Sequence, residues 1–528
     1  MENTKITTLA IPALILGACA HKEAPERPLN IIHIMTDDHS FQTISAYGHP
    51  ISKLAPTPNL DRLASEGMLF RKAFVENSLS TPSRACLMTG LYSHQNGQRQ
   101  LGAGIDTTKV FFSEILQQNG YNTGIVGKWH MKCEPKGFDF FYVLNDQGDY
   151  YNPAFKTPVS GGRYIKEDGY ATTLITDHAI EFMQNRDRER PFCLLVHHKA
   201  PHRNWMPDLK YLDLYENTEF PLPETFYDNY ETKCNAARTQ EMRIEQDMSL
   251  IYDLKVDELK NLEEYKNDGN TGNWIYTLGK MTPEQQAAWH KVYGPKNMEF
   301  IEQNLTGDDL VKWKFQRYLR DYLRCIKSID DEVGRILDYL EQEGLADNTV
   351  IVYTSDQGFY MGEHGWFDKR FMYEESFRTP LIIKYPGKIK GGDICDALVQ
   401  NIDFAPTYLN IARQDVPESM EGRPLLPLFG GGIPDDWREY LYYHYYDYPA
   451  IHQVRRHDGV RDNKYKLIHF YGSESDRDGA INCNELYDLD KDPGEVNNVY
   501  GLPEYATITE RLQKQLDKFR IELNVDEY

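Results

Sequence analysis

Short apolar runs that stop abruptly at polar residues recur along the chain and predict buried strands. The first covers residues 29–35 and ends at Thr36-Asp37-Asp38. Runs of this length and composition suit strands that are covered on both faces of a sheet, which is typical of parallel sheets. Four more such runs cover residues 121–126, 192–196, 350–354 and 381–385.

Segments with helical spacing of apolar residues alternate with these strands. Helices are predicted to begin near Thr57, to cover residues 111–119, and to form a long amphipathic segment over about 311–343. This alternation predicts an α/β domain with a mixed, mainly parallel sheet flanked by helices. Residues 205–309 are polar and lack strand patterns, so we expect an irregular, partly helical insertion there.

The pattern changes after the glycine-rich stretch at residues 430–434. Residues 464–471 alternate as a strand does, residues 484–489 form a second short strand, and about 503–523 is predicted to be a helix. These elements predict a smaller antiparallel sheet closed by a helix. We therefore divide the chain into a large domain, residues 29–430, and a C-terminal subdomain, residues 431–528.

The N-terminal region is typical of an export signal. Lys5 precedes an apolar run over residues 9–16 that is too short to remain as a membrane-spanning helix. Leu16-Gly17-Ala18-Cys19 resembles a bacterial lipobox, which implies cleavage before Cys19, a lipid on its sulfur and a tether over residues 20–28. We expect an exported lipoprotein of the periplasm or outer membrane, with ordinary signal cleavage as the alternative.

Composition narrows the classes of ligand. The chain has 58 basic and 80 acidic residues, a net charge of -22, which disfavours nucleic acid and anionic membranes over most of the surface. We expect membrane contact only through the lipid anchor. An anionic substrate would then require locally concentrated positive charge.

The eight cysteines have irregular spacing and no CxxC pair, so neither a disulfide framework nor a zinc site is predicted. Disulfides are possible in an exported protein, but mostly buried thiols are expected.

Polar residues at the strand ends suit a metal ion. Asp37 with Asp38, and Asp356 with Gln357, supply oxygen donors from two strand ends. Such donors favour a hard divalent cation, calcium before zinc. A turn or helix cap is the simpler alternative for each pair.

The stretch from Ser80 to Gly90 does not follow the pattern of the predicted strands. Pro82 predicts that a loop precedes the helix, and Gly90 suits the helix end. Ser80 would then lie near a helix N-terminus, where unpaired N–H groups favour an anion. Taken alone, Ser80-Thr81-Pro82-Ser83-Arg84 is also a common capped helix start.

The whole stretch resembles the signature of the type I sulfatases: Cys or Ser, then x-P-S-R, four residues and Thr-Gly. The resemblance implies an alkaline-phosphatase-like fold and oxidation of Ser80 to formylglycine (3-oxoalanine), whose hydrated aldehyde is the nucleophile. It also implies that calcium is held against the sulfate and the formylglycine by five residues, namely Asp37, Asp38, Asp356, Gln357 and the modified Ser80.

Further matches in family order supply the positive groups. Gly127-Lys128-Trp129-His130 implies that Lys128 binds a sulfate oxygen and that His130 holds a hydroxyl of the hydrated aldehyde. Ala200-Pro201-His202 makes His202 the candidate general acid, ahead of its neighbours His197 and His198. The remaining catalytic residues implied by the resemblance are Arg84, within the signature, and Lys369, at the end of residues 362–369.

Serine at the signature position, where many relatives have cysteine, implies maturation by an anaerobic, radical-type formylglycine-generating enzyme. An engineered Cys→Ser substitution is the alternative.

Residues 148–153 and 372–380 resemble bacterial N-acetylglucosamine-6-sulfatase-like enzymes that act on glycosaminoglycans or mucins. We therefore expect an exo-acting N-acetylglucosamine-6-O-sulfatase acting on heparan, heparin or mucin-type glycans. A possible sugar-binding edge comes from the C-terminal subdomain, at His452, Arg455, His457 and Arg461. Three alternatives stay open: another glycosaminoglycan O-sulfatase specificity, a zinc phosphatase or phosphodiesterase of the same fold, and a non-catalytic sulfoglycan-binding lipoprotein.

Overall fold

The computed structural model describes residues 28–266 and 269–528. The predicted signal peptide, Cys19 and the tether up to residue 27 lie outside the described residues, so those predictions stay predictions. In the described ranges no helix is both long enough and apolar enough to cross a membrane.

Sixteen strands and thirteen α-helices are assigned in these ranges. The strands are β1 (Asn30–Thr36), β2 (Met68–Phe70), β3 (Ala73–Phe74), β4 (Asn122–Gly127), β5 (Phe140–Leu144), β6 (Ala154–Lys156), β7 (Ile165–Lys166), β8 (Phe192–His197), β9 (Thr349–Ser355), β10 (Leu381–Lys384), β11 (Asp393–Cys395), β12 (Val399–Gln400), β13 (Leu441–Tyr445), β14 (His457–Arg461), β15 (Tyr465–Gly472) and β16 (Ile481–Asp488). The helices are α1 (Pro50–Leu54), α2 (Pro58–Glu66), α3 (Ser80–Thr89), α4 (Ser93–Asn96), α5 (Phe112–Gln118), α6 (Ala171–Asn185), α7 (Ala236–Thr239), α8 (Gly269–Leu278), α9 (Pro283–Gln303), α10 (Gly307–Gln342), α11 (Glu374–Phe377), α12 (Phe404–Ile411) and α13 (Ala506–Glu522).

A ten-stranded sheet forms the centre of the large domain, in the order β11-β2-β10-β9-β1-β8-β4-β5-β6-β7. The five strands from β9 to β5 run parallel to one another, whereas β10 is antiparallel to both β9 and β2 and β6 is antiparallel to β5. The predicted mixed, mainly parallel sheet is therefore confirmed. Its parallel strands end at one common edge.

Strand β1 shows why the sheet is covered on both faces. Ile32 and Ile34 pack into the core shared with α2, α6 and α10. Ile31 and Met35 point the other way, into the core shared with α3, α5 and α12. Every residue of β1 is buried, as its mainly apolar sequence predicts.

Helix α3 begins earlier than the sequence indicated. It starts at Ser80 itself, so Thr81 and Pro82 lie in its first turn rather than in a preceding loop. The first N–H groups of a helix have no partner inside the helix, so Pro82 costs no hydrogen bond there. The helix ends at Gly90, whose φ of 66° is the left-handed conformation that glycine favours.

The C-terminal subdomain contains the predicted antiparallel sheet, in the order β13-β14-β15-β16. Helix α13 covers it through Leu512 and Leu516, which pack against Val460 and Leu467. The sheet begins at Leu441, and the domain boundary near residue 430 stays a prediction.

Among the cysteines that the structure describes, Cys234 and Cys483 form a disulfide, which joins the insertion to β16 across 249 residues of sequence. The irregular cysteine spacing had not indicated any pairing. Four other cysteines, Cys86, Cys193, Cys325 and Cys395, are buried thiols, as expected for most of them, and Cys133 is half-buried.

Candidate active site

The edge at which the parallel strands end collects the polar residues that the sequence singled out. Asp37 and Asp38 follow β1, and Asp356 and Gln357 follow β9. Lys128 follows β4, the next strand but one from β1. Neighbouring parallel strands bring their carboxyl ends together, and this is where ligands bind in open α/β sheets.

Ser80 lies at this edge because α3 begins there. Its hydroxyl donates to Oδ1 of Asp37 at 3.0 Å and accepts from Nε2 of Gln357 at 3.2 Å. Asp37 and Gln357 come from different strands, so the Ser80 hydroxyl bridges the two. Ser80 is only 2% exposed, which places its oxygen at the floor of the site.

The buried carboxylates of Asp37, Asp38 and Asp356 each contact a different cation, which for Asp356 is Arg84. Lys128 Nζ contacts Oδ2 of Asp37, and Lys369 Nζ lies 2.6 Å from Oδ2 of Asp38. An unpaired charge buried in this way would cost several kcal/mol.

Arg84 donates to Oδ2 of Asp356 through Nη2 at 2.9 Å and to the carbonyl of Lys128 through Nη1 at 2.9 Å. Arg84 therefore links α3 to the ends of β9 and β4.

The carboxylates differ in how strongly they are ionised. Burial opposes ionisation of Asp37, but Lys128, His202 and Arg84 outweigh it and hold the pKa of Asp37 well below its usual value. Burial, together with the negative charge of Asp37, raises the pKa of Asp356. Burial also raises the pKa of Asp38, although Lys369 opposes the shift. Asp37 is therefore the most readily ionised of the three, whereas burial makes ionisation of Asp38 and Asp356 harder.

These residues fit a divalent metal ion. One donor atom from each of Asp37, Asp38 and His202 lies within 4.8 Å of the others. The amide oxygen of Gln357 is buried with no hydrogen-bond partner in the described part of the chain, so it is available as a ligand. With Asp356, the set is dominated by oxygen, which suits a hard cation.

His130 lies beside the signature helix. Its Nδ1 is 3.2 Å from Oγ1 of Thr81, and its Nε2 is 3.3 Å from Oδ1 of Asp146. Burial, with the charge of Lys128, lowers the pKa of His130 to about 4. A neutral imidazole in this position can accept a proton near pH 7.

His202 faces the carboxylates from the loop after β8. Its Nε2 lies 3.9 Å from Oδ2 of Asp38, and its Nδ1 lies 2.7 Å from the carbonyl oxygen of Arg203. Burial, reinforced by the charge of Lys369, lowers the pKa of His202 well below its usual value. A bound anion beside the ring would favour its protonated form again.

The two neighbouring histidines are placed differently. His197 lies behind Lys128, with Nδ1 3.2 Å from the carbonyl oxygen of that lysine. His198 is fully buried, and within the described ranges neither of its ring nitrogens has a partner. The contact with Asp38 is made by His202.

Several residues that the motifs did not indicate support the site. Gln147 accepts from Lys128 Nζ at 2.6 Å, and Asp146 contacts His130. Both belong to the loop after β5, and their neighbouring positions in the N-D-Q-G-D stretch could have suggested them. Beside Lys369, Asp368 accepts from Nε of Arg370 at 3.2 Å.

The predicted sugar-binding edge is only partly at the site. His452 Nε2 lies 3.3 Å from Oδ2 of Asp368, next to Lys369. Arg461 instead pairs with Glu374, and His457 accepts from the backbone of Met372. Arg455 donates to the carbonyl of Gly479 and lies over the ring of Tyr448, so it also supports the C-terminal subdomain.

Comparison with known proteins provides independent information. A family model described as Sulfatase matches residues 29–414, and one described as N-sulphoglucosamine sulphohydrolase, C-terminal, matches residues 362–522. The N-acetylglucosamine-6-O-sulfatase of Bacteroides thetaiotaomicron is 46% identical over 525 residues, covering 98% of this chain and 91% of that protein. The human N-acetylglucosamine-6-sulfatase is 25% identical over 81% of this chain and 70% of its own length.

Solved structures also show similarity over nearly the whole chain. A protein solved in complex with its substrate D-glucosamine-2-N,6-O-disulfate superposes with a TM-score of 0.89 at 44% identity, over 95% of this chain and 99% of that one. A phosphonate monoester hydrolase from Silicibacter pomeroyi superposes with a TM-score of 0.66 at 20% identity over 94% and 95% of the two chains, which shows a common fold.

Proposed function

This chain belongs to the sulfatase family, and from that premise we propose that it removes the 6-O-sulfate from glucosamine units of host glycans, with N-acetylglucosamine 6-O-sulfate as first substrate. As a member of the family it is a sulfuric ester hydrolase. The substrate assignment is supported by its 46% identity, over nearly the whole chain, to an N-acetylglucosamine-6-O-sulfatase. We propose heparan, heparin or mucin-type chains as the natural source and exo action on them.

The observation that carries the chemistry is the position of Ser80 between Asp37 and Gln357, with Lys128 on Asp37 and Lys369 on the neighbouring Asp38. A sulfate ester resists nucleophiles because its oxygens are negatively charged. Lys128 and Lys369 can neutralise those oxygens as charge moves toward the leaving alcohol. Interactions of this kind are typically worth about 10²–10³ in rate for each donor.

A calcium ion held by Asp37, Asp38, Asp356 and Gln357 would add positive charge at the sulfate. We propose calcium because the donors are mainly oxygen and several are carboxylates.

We propose that Ser80 acts only after oxidation to formylglycine by a maturase of the anaerobic radical type. The hydrated aldehyde supplies one hydroxyl for attack and a second whose deprotonation releases sulfate. An unmodified serine would keep the sulfate as a stable ester.

Two histidines supply the proton transfers in this proposal. His202 lies beside Asp38 on the open side of the site and donates a proton to the departing sugar alcohol. His130, which is neutral near pH 7, accepts the proton of the second hydroxyl. A positioned acid or base contributes about 10²–10⁴-fold.

We propose, from the lipobox-like sequence at Leu16-Gly17-Ala18-Cys19, that the mature protein is exported and anchored by a lipid. Glycan polymers outside the cell would then be its accessible substrates.

The test is sulfate release by protein co-produced with a maturase, on sugars that carry a single sulfate at the 2-, 3-, 4-, 6-O or N position. Release from the 6-O-sulfated N-acetylglucosamine alone is expected. Mass spectrometry of the peptide that contains Ser80 should show the loss of two hydrogens. Release only from a 2-O-sulfated uronic acid or a 4-O-sulfated galactosamine would refute the substrate assignment, and binding without turnover by the oxidised protein would refute the enzyme proposal.

A further inference from the structure

A cavity of about 370 Å³ adjoins the catalytic edge on the side of His202. Its lining includes Lys199, His202, Tyr252, Tyr276 and Lys280. His202 is the lining residue that contacts Asp38. The volume falls in the range of small-molecule sites. A substrate whose leaving oxygen meets His202 would extend into this cavity.

Lys199 is a buried cation that forms no ion pair with any acidic side chain that the structure describes. It is 5% exposed, and among the described residues its ammonium makes no hydrogen bond or ion pair. Its Nζ lies over the ring of Tyr150, 4.9 Å from the ring centroid. A cation–π contact is worth about 0.5–2 kcal/mol, less than the several kcal/mol that burying an ammonium costs.

The other cations that line this cavity are paired. Arg203 donates from Nε to Oδ1 of Asp253 at 2.6 Å, and Lys280 lies 3.0 Å from Oδ2 of Asp149. Burial lowers the pKa of Lys199 to about 8, so the side chain is mainly protonated at neutral pH. The cavity therefore presents one ammonium that forms no ion pair within the described ranges, although the carboxylates of Asp37 and Asp149 act on it at longer range.

We propose that Lys199 binds a second oxyanion substituent of the glycan, distinct from the sulfate ester that is cleaved. This inference rests on the proposed function, because the glycan reaches the cavity through the site beside His202. An ammonium is a compact charge with three donors, and it pairs well with sulfate, sulfamate or carboxylate oxygens. An N-sulfate on the glucosamine and a carboxylate on a neighbouring uronic acid both have this chemistry.

The test compares the wild-type enzyme with Lys199→Met, which keeps the length of the side chain and removes its charge. The substrates are 6-O-sulfated N-acetylglucosamine and 2-N,6-O-disulfated glucosamine, which differ in one negative group. On the disulfate we expect kcat/KM to fall about 10- to 100-fold, mainly through KM, because a hydrogen bond between charged groups is lost. On the N-acetyl sugar the fall should be less than about threefold, because that substrate has no second anion.

A disaccharide in which a uronic acid carries the second charge distinguishes the two sources. If its kcat/KM falls and that of the disulfate does not, Lys199 binds the carboxylate. Lys199→Arg should keep the preference for the doubly charged substrate. Lys166→Met, which removes an exposed lysine, is the charge control. It should leave kcat/KM unchanged on both substrates.

Equal losses on the singly and doubly charged substrates, or no loss on any, would overturn the inference. The variant should not have a lower Tm than wild type, because it removes a buried charge that has no partner. If the wild type released no 6-O-sulfate from either sugar, the proposed function would fail. Lys199 could then still be tested by calorimetry, since glucosamine 2-N-sulfate should bind wild type more tightly than Lys199→Met.

Discussion

The hydroxyl of Ser80 lies 3.0 Å from Oδ1 of Asp37, although 43 residues separate them in the sequence. The contact joins the first turn of α3 to the end of the central strand β1. The residue proposed as nucleophile precursor is thus held against the residue proposed as a metal ligand.

Ser80→Ala should lower kcat by about 10³-fold or more, since the oxygen that becomes the nucleophile is removed. The Tm should fall only slightly, because the change removes one uncharged side-chain group and its hydrogen bonds to Asp37 and Gln357. Sulfate release from 6-O-sulfated N-acetylglucosamine measures this directly. Ser113→Ala, which removes a buried hydroxyl near the start of α5, is the matched control and should remain active. Full activity of Ser80→Ala would contradict the site assignment.

Removal of the metal ion should lower both activity and stability. Asp37, Asp38 and Asp356 repel one another in the buried site, so binding of an ion to the folded state stabilises it. At a free ion concentration about 100 times Kd the gain is about 2.7 kcal/mol. We expect a calcium chelator to lower the Tm and the rate of sulfate release, and calcium rather than zinc to restore both. Unchanged activity of protein shown to be metal-free by elemental analysis would count against the site.

His202→Ala should affect substrates according to their leaving group. A sugar alcohol leaves poorly without a proton, so its sulfate should be hydrolysed about 10²–10⁴ times more slowly. An aryl sulfate releases a stable phenolate, so its rate of hydrolysis should fall much less. His198→Asn should change the rates on the sugar sulfate and the aryl sulfate by the same factor, because His198 lacks the contact with Asp38 that His202 makes. Equal losses on both substrates for His202→Ala would exclude its role as general acid.

The stability of the protein should depend on pH through Glu76. This buried carboxyl accepts from the backbone and hydroxyl of Ser93, and burial raises the pKa of Glu76 from 4.5 to about 7. A raised pKa favours folding while the group is protonated, so this contribution is complete below pH 4.5 and is lost as the pH rises through 7. Relative to Glu76→Gln, the wild type should lose about 1–3 kcal/mol between pH 5 and pH 8. Urea unfolding of both proteins across this range checks the difference, and a constant difference would contradict it.

The disulfide should stabilise the fold strongly. Cys234–Cys483 closes a loop of 249 residues between the insertion and the C-terminal subdomain. Replacing both cysteines by serine should cost about 2–5 kcal/mol. A reducing agent should lower the Tm of the wild type toward that of the double variant and leave the variant unchanged. Insensitivity of the wild-type Tm to full reduction would show that the bridge adds little.

The strand ends were predictable because they depend on local sequence. A run such as residues 29–35 has few structures other than a buried strand, and Asp37 must then lie at its carboxyl end. The same reasoning placed Asp356 and Lys128 at strand ends. Parallel strands share one edge, so the candidate site follows from the order of elements and the family motifs.

Other features depend on contacts between distant segments. The pairing of His130 with Asp146, the contact of Lys128 with Gln147 and the bridge between Cys234 and Cys483 have no periodic pattern in the sequence. Even the start of α3 at Ser80 was misjudged, because the penalty of Pro82 vanishes in a first turn.

The sequence by itself determined the class of fold, the chemistry at the strand ends and the motif around Ser80, since each follows from residue type and local spacing. Only the tertiary structure decided which charges are paired. It gave Asp37, Asp38 and Asp356 a cation each, and it left Lys199 without an acidic partner among the described residues. The physical reason is that burial strengthens electrostatic interactions and removes the compensating solvent, and burial is a property of the folded chain alone.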